Sequence, residues 1–196
     1  MQKNAIVITG TPCVGKTTLA CLLSEKLKAV YINLTEFAEQ ENLIARDDRK
    51  RKTRVINEAE MRRKLCNMLN KVESDRVVVI DGHYAAAVVP KSHVARVFVL
   101  RRNPIELRVF MEKNGFTGTK LWENLASEIL DVCLVEALQW QEKSRVCELD
   151  ITGKSVVEAV DDVLAVLENR KKCIVGCVDW LGMLETKSLL SEYLRL

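Results

Sequence analysis

The sequence predicts an α/β fold, a parallel sheet of five strands with helices on both faces. Short β-branched apolar runs alternate with stretches of helical periodicity, and a glycine-rich loop joins the first run to the first helix. An apolar run further on ends in an aspartate, at the carboxyl end of a strand, where sites form in such sheets.

The first strand is Ala5-Ile6-Val7-Ile8-Thr9, and Leu19, Leu22, Leu23 and Leu27 give the following stretch helical spacing. Between them, Gly10-Thr11-Pro12-Cys13-Val14-Gly15-Lys16-Thr17 reads GxxxxGK[ST]. This strand, loop and helix start form the context of a phosphate-binding loop. Main-chain N–H groups of Gly10, Cys13, Val14, Gly15, Lys16, Thr17 and Thr18 are the candidates to face β- and γ-phosphates, and the helix dipole adds positive potential. Lys16 reaches the same oxygens and the Thr17 hydroxyl suits Mg²⁺. The sequence predicts binding of a nucleoside triphosphate.

Val30-Tyr31-Ile32 is a second strand, followed by a helix to about Glu41 capped by Thr35 or Asn33. Arg46 to Arg54 carries six Lys or Arg in nine residues without apolar periodicity, and reads as an exposed, mobile loop. Such a run suits a solvated loop, an RNA or acidic-protein contact, or a clamp for a monophosphate. A helix from Glu58 to Val72 shows Met61, Leu65, Met68, Leu69 and Val72 on one face.

Val77-Val78-Val79-Ile80-Asp81 has the form of a Walker B element, whose carboxylate holds Mg²⁺ or its water shell. His83 stands at the mouth of that strand, and spacing alone leaves its role open. Arg96 to Arg101 is a fourth strand with basic ends, and Pro104 opens a helix to about Asn114. After Gly115-Phe116-Thr117-Gly118, apolar rows from Leu121 to Trp140 predict one continuous, deeply packed helix. Val146 to Leu149 is the fifth strand. Ser155 and Glu158 form a capping box for a helix to about Lys171. Residues 172–196 read as a separate C-terminal extension, able to pack back or to contact a partner.

At 196 residues and a net charge of +3, the chain fits one domain with a small appendage and does not announce a nucleic-acid binder. No apolar run approaches a membrane span and no leader is apparent, which leads us to expect a soluble cytoplasmic protein. The seven cysteines have no framework spacing, so Cys173 and Cys177 are expected as free thiols.

Read in order, GTPCVGKTT, YIN-LTEFA, VVVIDGH, VFVLR and ENLASEIL-DVCLVEA give the chain a family likeness. Over residues 4 to 171 it resembles the archaeal and eukaryotic adenylate-kinase-like group that includes adenylate kinase isoenzyme 6. Asp81-Gly82-His83 matches that group's Asp-x-His, and Gly176 to Leu181 is similar to the ending of archaeal members. The resemblance implies a nucleoside-monophosphate-kinase fold with a flap at about 33–56 and a lid at about 113–123. It implies ATP-dependent phosphorylation of AMP, slow ATP hydrolysis, and a role in small-ribosomal-subunit maturation with a small-subunit ribosomal protein and its rRNA. It also implies that Asp81 and His83 act together at the phosphates and that Lys154 lies near the adenine.

Three positions depart from the group's pattern. Glu39 stands where a flap arginine would contact the monophosphate, and Phe110 and Asn114 replace two lid arginines. Lid arginines neutralise charge on the transferring phosphoryl group; Arg108, Lys113 or flap residues are the candidates to substitute. Three functions fit: a nucleoside monophosphate kinase, an ATPase assembly factor, and a nucleotide-binding module without catalysis.

Overall fold

A computed structural model of the chain describes residues 4–48, 53–73 and 75–194. In order, the elements are β1 Ala5–Thr9, α1 Lys16–Leu27, β2 Val30–Asn33, α2 Leu34–Gln40, β3 Ile44–Asp48, β4 Thr53–Ile56, α3 Glu58–Leu69 and β5 Val78–Asp81. There follow α4 Ala85–Val88, β6 Val94–Arg101, α5 Pro104–Lys113, α6 Gly118–Ile129, α7 Val132–Trp140, β7 Val146–Asp150, α8 Val156–Leu167, α9 Trp180–Thr186 and α10 Leu190–Tyr193.

Five strands form one sheet in the order β2-β5-β1-β6-β7, every pair parallel. This is the predicted architecture, and it follows from helix-bearing crossovers, which demand parallel strands. Period-two alternation then splits the core. Ile6, Ile8, Val79, Phe98 and Leu100 point to one face, where Leu19, Leu23, Leu125 and Val163 pack on them. Ala5, Val7, Ile80, Val97 and Val99 point to the other, against Met61, Leu65, Val88 and Leu134. With β1 at the centre, its carboxyl end is flanked by those of β5 and β6. Ile8 lies beside Asp81, and Asn33 of β2 lies on its other side.

Local chemistry sets several boundaries. The Asn33 side chain, one of the two expected caps, accepts from Thr35 N and Glu36 N and starts α2. The Ser155–Glu158 capping box is complete at α8.

Three expectations need correction. The stretch 121–140 is two helices, because Asp131 adopts φ 58 between α6 and α7. Arg101, almost wholly buried, explains the break. Its Nη2 donates to the Glu128 carbonyl at 2.8 Å and to Asp131 Oδ1 at 2.5 Å, so the turn delivers acceptors to a buried guanidinium. In place of a loop, residues 46–48 and 53–54 belong to an antiparallel ribbon, Asp47 opposite Arg54 and Asp48 opposite Thr53; residues 49–52 lie outside the described residues. Main-chain pairing holds such a ribbon and leaves no apolar signature. Cys173 is not free: it is bonded to Cys147 of β7, and Cys177 remains a thiol. Of the two alternatives open for the C-terminal segment, packing back is the one observed, since Trp180, Leu184 and Tyr193 are buried in the cluster on the α1 face.

Candidate nucleotide-binding site

The loop after β1 can take its shape only with glycine at its ends. Gly10 has φ 141, and a Cβ there would stand 2.6 Å from the Leu100 carbonyl oxygen. Gly15, with φ 109, is the N-cap of α1. No side chain caps α1 and no acidic residue lies in its first turn. The first N–H groups of a helix have no intrahelical acceptor, so the turn from Lys16 presents donors and positive dipole potential to an anion. A cavity of about 460 Å³ opens in front of it. Residues 13–19 form its floor, Arg102, Phe110 and Asn114 one wall, and Ile151, Lys154, Val156 and Ala159 the other.

Lys16 is folded over the loop, with Nζ donating to the Thr11 carbonyl at 2.9 Å. Desolvation lowers its pKa, against the opposing pull of Cys133, Asp81, Cys13 and Glu128. Burial raises the pKa of the two thiols beside it, that of Cys133 to about 11, so both stay neutral.

Asp81 is buried at the end of β5, between three donors. Thr17 Oγ1 reaches Oδ2 at 2.7 Å, while Tyr31 OH and Asn33 Nδ2 reach Oδ1 at 2.8 and 3.1 Å. Tyr31 and Asn33 hold the carboxylate so that its other oxygen meets Thr17. Carboxylate and hydroxyl are hard oxygen donors that fit Mg²⁺. Among the described residues no group of three or more His, Cys, Asp or Glu could hold a metal alone. A cation here would share its oxygens with bound phosphates, as Mg²⁺ commonly does.

His83 stands at the strand mouth two residues beyond Asp81, partly open to solvent and edge-on to Tyr84 with ring centroids 4.7 Å apart. Thr9 Oγ1 donates to its carbonyl at 3.0 Å and fixes the strand mouth. Desolvation in the recess, then the Lys16 charge, lower its pKa to about 4, which leaves the imidazole neutral at physiological pH. It does not line the cavity. Lys154 does line it, but its ammonium is turned to Asp162 Oδ2 and the Asp150 carbonyl, both at 2.8 Å.

The structure brings the two departed lid positions, Phe110 and Asn114, into the cavity wall, where the Asn114 amide donates to the Phe110 carbonyl. It takes Arg108 away. That guanidinium pairs with Glu112 and Glu192 and lies over the Trp122 and Tyr193 rings. Lys113 is not in the lining, and Glu39 is an exposed residue of α2. Sequence reasoning missed Arg102 and Tyr31. A second basic residue at the carboxyl end of a parallel strand was the available signal for Arg102.

Residues 6–131, well over half of the chain, match the family model described as an AAA domain. The chain is 35% identical over 191 residues to a Pyrococcus abyssi protein named "Putative adenylate kinase", covering 97% of each. It is 36% identical to a protein of the same name from Thermococcus kodakarensis, covering 97% of this chain and 99% of that one. The chain belongs to this adenylate-kinase-like P-loop family. Among solved structures, shikimate kinase from Bacteroides thetaiotaomicron superposes with a TM-score of 0.58 at 17% identity, covering 84% of this chain and 98% of that one. That likeness concerns the fold alone, and it is the P-loop kinase fold of this family. Among the described residues no helix is long and apolar enough to cross a membrane.

Proposed function

We propose that the protein is an adenylate kinase, transferring the γ-phosphoryl group of ATP to AMP, with slow ATP hydrolysis when no acceptor is bound. The observation that carries this reading is the uncapped start of α1, with Lys16 and the Asp81–Thr17 pair beside it, at the floor of the 460 Å³ cavity. The triphosphate lies along the N–H groups of residues 13–18, and Lys16 exchanges the Thr11 carbonyl for phosphate oxygens. Gly10 lets the loop turn against β6. Thr17 and Asp81 hold Mg²⁺, which supplies charge neutralisation at the phosphates. The neutral His83 orients a water by hydrogen bonding at the γ-phosphate end, the step that leads to hydrolysis when no acceptor is bound. The apolar wall of Ile151, Val156 and Ala159 takes the base, with the stem of Lys154 beside it. Transfer is in line, from donor to acceptor, with no covalent enzyme intermediate, so rate depends on placement and charge.

The test is product analysis with Mg·ATP and each nucleoside monophosphate in turn, counting diphosphate made from the acceptor separately from inorganic phosphate. Dominant ADP formation with AMP supports the kinase; phosphate release alone, whatever the acceptor, favours an ATPase. The substrates would place the reaction in the cytoplasm. A small-subunit ribosomal protein and rRNA are proposed partners, supported by the basic run from Arg46 to Arg54 and by the family resemblance. If the run contacts RNA phosphates, affinity falls by roughly 10³-fold between 50 and 200 mM salt for about six contacts.

A further inference from the structure

Arg102 follows β6 directly and turns its side chain into the nucleotide cavity, where it is only 10% exposed. Each part of the guanidinium has a defined neighbour. Nε donates to the Val14 carbonyl at 3.3 Å, inside the phosphate loop. Nη1 is paired with Glu106, whose second oxygen accepts the Gly153 N–H at 3.0 Å. Nη2 stands 3.9 Å from where a Cβ on Gly15 would be, beside main chain that faces the phosphates. The Phe110 ring covers the group, 4.8 Å from Cζ. Arg102 thus bridges the phosphate loop and the loop at Gly153–Lys154 on the base side. Among the wall residues, it holds the one guanidinium within reach of the loop, while Arg108 is committed elsewhere.

We propose that Arg102 binds the base-proximal phosphates of the triphosphate, with the Val14 carbonyl and the Phe110 ring holding the guanidinium in place and Glu106 as the counter-charge that the phosphates displace. The inference rests on the reading that the triphosphate lies on this loop. A planar fork buried between an aromatic face and a carboxylate is preorganised, and bidentate pairing with phosphate oxygens is the contact arginine makes best. Position decides what the contact does. The base-proximal phosphates carry nearly the same charge before and during transfer, so the interaction strengthens binding equally in both states. It raises affinity and leaves the turnover number alone. An arginine on the transferring group would instead change the turnover number by about 10³–10⁵.

The experiment uses the full chain and the variants Arg102→Gln, Arg102→Lys and Glu106→Gln. Calorimetry would measure binding of Mg·ATP, Mg·ADP and adenosine, alongside steady-state turnover. Arg102→Gln is expected to weaken Mg·ATP and Mg·ADP by about 10- to 100-fold, the scale of a charge-assisted hydrogen bond. Adenosine affinity should stay within about twofold and the turnover number within a few-fold, with Arg102→Lys intermediate. Glu106→Gln keeps the Gly153 contact but frees the guanidinium of its counter-charge, and should tighten both phosphorylated ligands by about two- to fivefold. This variant decides the matter should Arg102→Gln not fold. Equal losses for adenosine and Mg·ATP would make Arg102 a structural wall. Unchanged affinities, or a collapsed turnover number at constant KM, would overturn the proposal as well. A parent protein that binds no Mg·ATP would overturn the triphosphate reading itself, along with the inference built on it.

Discussion

Thr11, inside the phosphate loop, donates its hydroxyl at 2.5 Å to Glu128 Oε2 at the end of α6. The other oxygen of that carboxylate takes Trp180 Nε1 at 3.1 Å, Arg101 Nε at 2.9 Å and Arg102 N at 3.2 Å. Lys16 in turn bonds the Thr11 carbonyl. One buried carboxylate therefore joins the C-terminal segment, the end of β6 and the loop that carries Lys16. Trp180→Phe keeps most of the buried area and removes one donor to a buried charge. We expect a loss of about 1.5–3 kcal/mol in urea unfolding. Glu128→Ala, which leaves Arg101 short of an ion partner, should cost about 3–5 kcal/mol. A Trp180→Phe variant as stable as the parent would show that the indole is a passenger.

Lys16→Ala should abolish phosphoryl transfer while preserving the fold. The half-buried side chain makes one hydrogen bond, to its own loop, and in the proposed function its charge serves the phosphates rather than the core. Turnover and the thermal midpoint are measured on the same sample. An unchanged turnover number would contradict the assignment of the loop.

Much of this was legible in the sequence because it is local. Strand alternation, the GxxxxGK[ST] loop, the Asn33 cap and the Ser155–Glu158 box are all decided within a few residues, and the structure shows each of them. What stayed hidden depends on partners distant in sequence. The break at Asp131 answers Arg101, thirty residues earlier. Cys173 finds Cys147 across 26 residues. Arg102 looks like the basic end of a strand until Glu106, Phe110 and Gly15 surround it. The β3–β4 ribbon is written in main-chain pairing, which side-chain periodicity does not report.

Asn114 lines the cavity and donates to the Phe110 carbonyl, whereas Lys113 lies outside the lining. Asn114→Arg should therefore bring a guanidinium to the phosphates and raise AMP phosphorylation by about tenfold or more, a fraction of what a well-placed arginine contributes. Lys113→Ala should leave transfer within about twofold. Initial rates at saturating Mg·ATP and AMP decide both. A neutral Asn114→Arg would show that transfer already receives its charge from another residue.

The Cys147–Cys173 bond ties the start of the C-terminal segment to the edge strand β7. Denaturing the protein without reductant and alkylating it should label five thiols, those of Cys13, Cys21, Cys66, Cys133 and Cys177. Cys173→Ser should lower unfolding free energy by about 3 kcal/mol, the loop-closure value for a bridge of this span. Seven labelled thiols in the unreduced protein would contradict the pairing.

Transfer to AMP from a triphosphate held on the Gly10–Thr17 loop is tested most directly by following the γ-phosphoryl group itself. ATP labelled at the γ-phosphate, Mg²⁺ and unlabelled AMP are mixed with the parent and with Lys16→Ala, and the label is followed into ADP and into inorganic phosphate. We expect label in the β-position of newly made ADP with the parent, exceeding label in inorganic phosphate, and neither with Lys16→Ala. Label released only as inorganic phosphate by the parent, or ADP labelled equally well by Lys16→Ala, would contradict the account.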